Sequence, residues 1–417
     1  MGEHPVRLIV ADDLRRGHGS SFFRMWFALP LVLWLAIWSV VAFLVALANW
    51  LLTLVLGRSP APLHAFLSRY VRFTTHIYAY MNLAAEPLPN FDGKPGYPID
   101  LEIDPPAPQR RLSVLLRIVL ALPALLIAGA LLGSNFALSS TTFNEGGLIG
   151  AVVLLGWFVA VLLGRMPHGL RDAIAYAISY GAQTWAYLLL LTDRYPSSDP
   201  QSALRGLPIR SDPVSMRVND DLRRSRLTVF FRLPLCFVHL VWLTLWAILA
   251  YVLSILSWLV TLFEGHAPNG FHRFLAAFVR YQCQVYAYLF VIAGPFPGFT
   301  GSSGYPIDLM IAPRARQNRW TVLVRLVLVI PALVITAAYV QLLLIVGVLG
   351  WFVSLITGRM PQGLRNAGAL ALRYSAQTTA YLFLLTDVYP YAGPTAEAQQ
   401  TEVVPELVVP DPIAPIA

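Results

Sequence analysis

GYPIDL stands at residues 96–101 and again at 304–309, and the 208-residue offset between the copies governs how the rest of the chain is read. DDLRR at 12–16 returns at 220–224 with the same offset, so the chain is a tandem duplication. A third pair, GRMPHGL at 164–170 and GRMPQGL at 358–364, is offset by only 194. The first half therefore carries 14 extra residues, and SNFALSSTTFNEGG at 134–147, polar and turn-rich inside an apolar run, is that insertion.

Each half divides again. PVRLIV, PIDLEI, PVSMRV and PIDLMI begin at Pro5, Pro98, Pro213 and Pro306 and alternate apolar with polar residues, as short strands tolerant of an edge position do. Each leads to an arginine that heads an apolar run, at Arg24, Arg117, Arg232 and Arg325. Four units follow: 1–95 and 96–212 in the first repeat, 213–303 and 304–390 in the second. Residues 391–417, rich in proline and acid and without a basic residue, read as a disordered tail.

Composition sets the solvent. With 57% hydrophobic residues, 12% charged residues and a mean hydropathy of +0.62, the chain resembles a multi-pass membrane protein and not a soluble domain. The formal net charge is +8 with Lys94 the only lysine; a GC-rich genome is enough to produce such an arginine bias, so it is not read as phosphate chemistry, and no nucleic-acid partner is expected. Cys236 and Cys283 show no CxxC or Cys/His spacing, which argues against a disulfide framework and a zinc site. About twenty polar residues precede the first apolar run, unlike a cleaved signal peptide, so that run is expected to remain in the mature protein.

Each apolar run, 32 to 37 residues without the insertion, would make a straight helix of roughly 50 Å, against about 30 Å of hydrocarbon. Two short arms in a helical hairpin are expected, with the insertion at a tip and Pro30, Pro123, Pro234 and Pro331 in the first arms. Gly164 and Gly358 then cap the second arm, Arg165 and Arg359 snorkel to headgroups, and Pro167 and Pro361 start a new helix. Units one and three carry GRSP at 57–60 and GHAP at 265–268 instead.

The third helix of each unit ends at Tyr80, Tyr187, Tyr288 or Tyr381, and eight residues earlier stand Arg72, Ser179, Arg280 and Arg373. A mid-helix arginine at the bilayer centre costs about 2.5–3.5 kcal/mol. These helices are accordingly expected to be interfacial and amphipathic, with Tyr187 and Tyr381 at headgroup depth and Arg117 and Arg325 anchoring the hairpin bases to anionic lipid. Arginine flanks the bases and is missing from the tips, which places both termini and all four turns in the cytoplasm by the positive-inside rule. The expected fold is a mainly α integral membrane protein of four hairpin-plus-interfacial-helix units, with short cytoplasmic strands forming a small sheet.

GYPIDL, the arginine-led apolar run, GRMP and the AYL-x-L-TD-x-YP ending at 186–196 and 380–390 together resemble a family of bacterial integral membrane proteins known only as a domain of unknown function, often found as tandem copies in actinobacteria. The resemblance implies topology and no activity or site residue; the expected location is the bacterial inner membrane. Units one and three depart from it at both GRMP and TD-x-YP.

The residues themselves are sparing with chemistry. No GxSxG, HExxH, Walker or GxGxxG motif occurs, the histidines have no ligand-like pairing, and the apolar arms hold no Asp, Glu or Lys away from their ends, their few polar groups such as Asn49, His239 and Gln341 not being repeated between halves. No catalytic residue, metal site or cofactor is expected. Asp100 and Asp308 of YPID, with Asp193 and Asp387 of TD-x-YP, read as turn-holding carboxylates. The functional expectation is a non-catalytic scaffold or accessory subunit, in contact with anionic lipids and with a membrane-protein partner or a second copy of itself. The alternatives are lipid or small-molecule binding or transport and, behind that, a membrane enzyme.

Overall fold

The alternating pentapeptides become strands and the apolar runs become long helices. The computed structural model describes residues 4–133, 146–204 and 207–396. In chain order its elements are β1 (Val6–Val10), α1 (His18–Leu56), α2 (Ala61–Met81), β2 (Ile99–Ile103), α3 (Arg111–Leu115), α4 (Arg117–Leu132), α5 (Gly147–Leu163), α6 (His168–Leu188) and α7 (Pro200–Ala203). The second half adds β3 (Val214–Val218), α8 (Arg226–Phe230), α9 (Arg232–Glu264), α10 (Asn269–Leu289), β4 (Ile307–Ile311), α11 (Arg319–Leu323), α12 (Arg325–Leu328), α13 (Ile330–Thr357) and α14 (Gln362–Leu382).

The strands do not join into one sheet. β1 pairs antiparallel with β2, Val6 opposite Ile103, and β3 pairs with β4, Val214 opposite Ile311. Each half completes its own ribbon because Val6, Leu8, Ile99 and Leu101 bury one face against that half's helices, while Arg7 on the other face meets Asp104 at 2.8 Å. A two-stranded ribbon is marginal alone. Here polar residues of the third helices grip it: Arg72 donates to Leu101 O (2.9 Å) and Gln183 to Val6 O (3.2 Å), with Arg280 on Leu309 O (3.0 Å) and Gln377 on Val214 O (2.9 Å) repeating the pattern.

The hairpin expectation is corrected: the apolar runs of units one, three and four do not fold back in their middle. α1 is one helix of 39 residues that contains Pro30, and α9 is one helix of 33. In unit four a single span runs from Arg325 to Thr357. In unit two, α5 resumes where α4 stops: a Cβ on Gly147 would lie 2.3 Å from the Gly133 nitrogen, and both pieces flank α6. The expected tip at 134–145 lies outside the described residues. The chain reverses at glycine instead, where Gly57, Gly164, Gly265 and Gly358 take φ of 65–78° and donate to the carbonyl four residues back. In units one and three no glycine stands in mid-run to offer such a stop, and Pro30 removes one donor without favouring a reversal.

The units stack in three layers: strands on the third helices, third helices on the long ones. The interfacial reading of the third helices is corrected with this. α6 and α14 are buried on nearly every side, their alanines and glycines allowing close approach, and the arginines that argued for headgroup contact reach strand or loop carbonyls. The long helices bury only a stripe; in α1 it is Ser21, Arg24, Ala28, Leu31, Ala42, Asn49 and Thr53. The halves meet where α13 packs on α4 and α5. Residues 391–396, expected to belong to a disordered tail, are packed against both halves. Tyr391 donates to Asp172 (2.5 Å), Tyr339 donates to Ala392 O, and Arg373 donates to Gly393 O (2.5 Å) and Thr395 Oγ1 (2.7 Å). The remainder of that tail, 397–417, is outside the described residues.

Candidate functional site: four buried arginine junctions

Each long helix begins by burying a charge. Arg24, Arg117, Arg232 and Arg325 are each 1–2% exposed, and their guanidinium carbons lie 4.5, 4.1, 4.4 and 4.1 Å from the ring centres of Tyr80, Tyr187, Tyr288 and Tyr381. A desolvated cation over an aromatic face gains about 2 kcal/mol or more. Nη1 of Arg24 donates to Tyr80 O (2.5 Å) and Ala85 O (2.8 Å), Arg232 to Tyr288 O and Ala293 O, and Arg325 to Tyr381 O and Thr386 O. In units one, three and four the arginine therefore caps the carbonyl end of the returning helix, the end where the dipole favours a cation.

The expectation that Arg117, Arg325, Tyr187 and Tyr381 touch lipid headgroups is corrected by this burial. They are internal staples, because the end of a third helix offers carbonyls, a ring and a carboxylate within reach of one arginine. That carboxylate is Glu86 in unit one (2.5 Å from Arg24 Nη2), Asp193 in unit two (3.0 Å from Arg117) and Asp387 in unit four (2.8 Å from Arg325). Asp193 also accepts from Ser113 (2.7 Å), and Asp387 from Thr321 (2.8 Å). Asp100 holds the other turn: it accepts from the N–H groups of Gly96 (2.8 Å) and Leu101 (2.7 Å) and pairs with His76 at 2.9 Å. Burial alone would raise its carboxyl, but these hydrogen bonds hold it below the ordinary carboxylate range. Asp308 accepts from Gly304 N–H at 2.8 Å, with Arg280 at 3.9 Å.

Just past each tyrosine the backbone turns left-handed at Leu83, Leu190, Val291 and Leu384, with φ between 59° and 64°. Such a conformation strains leucine and, more so, β-branched valine. A partner from the chain preceding each long helix binds the carbonyl so exposed: Arg16 on Leu83 (3.0 Å), Gln109 on Leu190 (2.6 Å), Arg224 on Val291 (3.1 Å) and Gln317 on Leu384 (2.5 Å). Arg16 and Arg224 are themselves locked to Asp12 and Asp220 at 2.8 Å with their side chains fully buried, which accounts for the repeated DDLRR.

GRMP completes the circuit between units. Met166 N–H donates to Leu14 O and Gly164 O accepts from Arg16 N–H; Met360 and Gly358 do the same with Leu222 and Arg224. In return Gly57 O accepts from Gln109 N–H, and Gly265 O from Gln317 N–H. Each turn thus pairs with the other unit of its own half. The methionine fills a notch cut by glycine eight residues before the turn: a Cβ on Gly156 would fall 2.6 Å from Met166 Cε, and one on Gly350 would fall 2.7 Å from Met360 Cε. Arg165 and Arg359 lend this junction their backbones and leave their side chains exposed.

Sequence reasoning missed four tryptophans. Trp50, Trp157, Trp258 and Trp351 donate their indole N–H to Val114, Ser21, Val322 and Val229 at 2.8–3.1 Å, in every case the carbonyl three residues before the partner unit's arginine. The signal was available, since each stands seven residues before its turn glycine. Glu86 was missed as well, because it does not match TD-x-YP by residue type. The arrangement joins units by satisfying buried polar groups. Among the described residues no group of three or more His, Cys, Asp or Glu gathers as metal ligands would.

The chain is a mainly helical repeat protein of four like units, and among its described residues three helices are long and apolar enough to cross a membrane. It belongs to the family described as Domain of unknown function (DUF4389), which matches it four times, at residues 19–92, 146–198, 226–298 and 319–392. Comparison with curated proteins and with solved structures gave no match in either case.

Proposed function

We propose that the chain is a non-catalytic scaffold in the bacterial cytoplasmic membrane, an accessory subunit that presents long apolar helices to lipid and to a membrane-protein partner or a second copy of itself. One contrast carries this reading. The arginines, tyrosines, tryptophans and carboxylates at the unit ends are engaged with one another, whereas α1 and α9 expose Trp26, Phe43, Val55, Phe237 and Phe263 to 65% or more. Apolar surface on that scale marks a membrane or protein contact. Arg165 and Arg359 are then free to meet anionic headgroups, at about 1 kcal/mol per basic residue.

The layering bears on how the helices insert. A continuous α1 puts the junction at 14–16 and the turn at 57–60 at its opposite ends, roughly 58 Å apart at 1.5 Å per residue. If α1 spans, these lie on opposite sides of the bilayer and the expectation of four cytoplasmic turns fails. The strand layer favours the other arrangement: Arg72 and Arg280 contact β2 and β4 from the middle of α2 and α10, and the flanking Arg7, Glu102 and Asp104 are partly exposed. A spanning orientation would hold those charges near mid-bilayer, at the cost noted above. Long helices lying in the cytoplasmic leaflet, strands facing water, keep both termini and all turns on one side. Cysteines placed at Arg58 and Arg165, both exposed, separate the two: an impermeant reagent that reaches both from the same side supports in-plane insertion, and labelling from opposite sides supports multi-pass spanning.

A second function, binding or transport of a lipid or small apolar molecule, is favoured by an open groove on α9 lined by Phe237, Val238, Val241, Trp242, Leu245 and Phe299. Purification in mild detergent followed by mass spectrometry discriminates: a stoichiometric protein supports the scaffold, and retained acyl lipid without protein overturns it in favour of the groove.

A further inference from the structure

Unit three breaks the fourfold rule at one atom group. Arg24 and Arg325 find a carboxylate 62 residues on, at Glu86 and Asp387; 62 residues after Arg232 stands Gly294. Arg232 is 1% exposed, and among the described residues its Nη2 makes one long contact, 3.4 Å to Gly294 O, where the other three junctions have an acid at 2.5–3.0 Å. Its ring and carbonyl contacts through Nη1 are intact. A buried guanidinium satisfied only by neutral groups is costly, and the position where its counter-charge belongs has no side chain.

The rest of the cradle is retained. In the other units the acid also accepts from a hydroxyl four residues before the arginine, namely Ser20, Ser113 and Thr321. In units one and four it accepts in addition from the backbone N–H seven residues before, at Gly17 and Asn318. The equivalents in unit three are Thr228 and Ser225, and Thr228 Oγ1 donates to Ser225 O at 2.9 Å. Gly294 is half-buried, so the cradle opens outward. Around it the field is positive. Arg226, at the position of His18 in the first half, lies by the Gly358 turn, 3.8 Å from a Cβ built there, and Arg223 and Arg359 are exposed on the same junction. Of the nearby acids, Asp220 is occupied by Arg224, and Asp221 accepts from Arg223 N–H.

We propose that unit three is an anion site, in which Arg232 Nη2, Thr228 Oγ1 and Ser225 N–H receive a phosphate-type oxyanion at the place that Glu86, Asp193 and Asp387 fill in the other units. Its source is the headgroup of an anionic phospholipid or free phosphate. With Nη1 committed to two helix-end carbonyls, Nη2 meets the oxyanion as a single charge-assisted donor. The site does not depend on the scaffold reading, since inorganic phosphate tests it without a membrane.

The experiment is thermal unfolding of the full chain in neutral detergent with inorganic phosphate against chloride at equal ionic strength, and in nanodiscs of phosphatidylglycerol against phosphatidylcholine. Wild type should gain stability from phosphatidylglycerol. An equal gain from inorganic phosphate assigns the site to the free ion, and a gain from the lipid alone assigns it to a headgroup. Gly294→Asp supplies the missing acid, so it should be more stable at baseline and should lose the anion-dependent gain. Glu86→Gly should create a second site, with about twice the bound anion by native mass spectrometry, and this arm stands even if Gly294→Asp does not fold. No anion response in wild type, a response undiminished in Gly294→Asp, or no added anion in Glu86→Gly would each overturn the proposal.

Discussion

Units one and three share their plan with units two and four, yet the two pairs occupy different places. The long helices α1 and α9 stand at the outside, with 11% and 17% of their most apolar stretch buried, while the corresponding stretch of unit four is 44% buried because α13 packs on α4 and α5 across the halves. The residues at the turn follow. Where the long helix is central the notch is Gly156 or Gly350 filled by Met166 or Met360. Where it is peripheral, Asn49 bonds Ser59 at 2.7 Å in one unit, and Ser257 and Ala267, both buried, hold the same two positions in the other. One backbone circuit thus accepts three side-chain fillings, Gly with Met, Asn with Ser and Ser with Ala.

The comparison breaks most visibly at the buried charge. Replacing Arg325 by Ala leaves Asp387 and two helix-end carbonyls without their partner and should cost about 3–5 kcal/mol. Arg232→Ala, which strands no acid, should cost clearly less; equal losses in detergent-based unfolding would mean that the carboxylate contributes nothing. Next in size is the notch. Met360→Ala should cost about 2–4 kcal/mol through its cavity, and Gly350→Ser combined with Met360→Ala, which rebuilds the pair of unit three, should recover part of that loss. If the double variant is less stable than the single, the two fillings are not interchangeable.

Trp351→Phe keeps the ring and removes the indole donor to Val229 O, a loss of about 1 kcal/mol. Trp258→Phe should match it within a few tenths, since the bond is the same in both kinds of unit, and a large difference in unfolding midpoint would show that burial controls the bond. A pH scan sharpens the comparison of the ribbons. Asp100 has a lowered carboxyl pKa in the folded chain, so its contribution is complete above the unfolded value of about 3.9 and is lost as pH falls through the folded value. Amide exchange across β1–β2 should accelerate on acidification below about pH 4, and Asp100→Asn should remove that step; an unchanged step would assign it to another carboxyl. The smallest effect belongs to the turn arginines. Arg165→Lys and Arg359→Lys should leave stability and membrane insertion nearly unaltered, because only their backbones enter the junction, whereas loss of a co-purifying partner would reveal a gripping role.

What the sequence determined by itself was the repeat. Offsets of 208 and 194 residues are visible without any structure, and they locate the units, the strands, the turn glycines and the arginine at the head of each run. Even the tryptophan bonds were written there, at seven residues before each glycine, although no rule of local propensity marks a tryptophan as a clasp. Where the arginines go was a tertiary decision. A helix-heading arginine next to apolar residues has the same local pattern whether it snorkels to a phosphate or turns inward, and only the return of the third helix, 56 residues later in units one, three and four, delivers the tyrosine ring and carbonyl that bury it. The length of the apolar runs misled for a related reason: hydropathy counts residues against bilayer thickness, but it carries no information on whether a helix lies across that thickness or along it. Under the in-plane insertion proposed above, that choice belongs to the strand layer, whose charges come beside the middle of α2 and α10 only when the half is assembled, because the electrostatic cost of burying them depends on distances that sequence spacing does not contain.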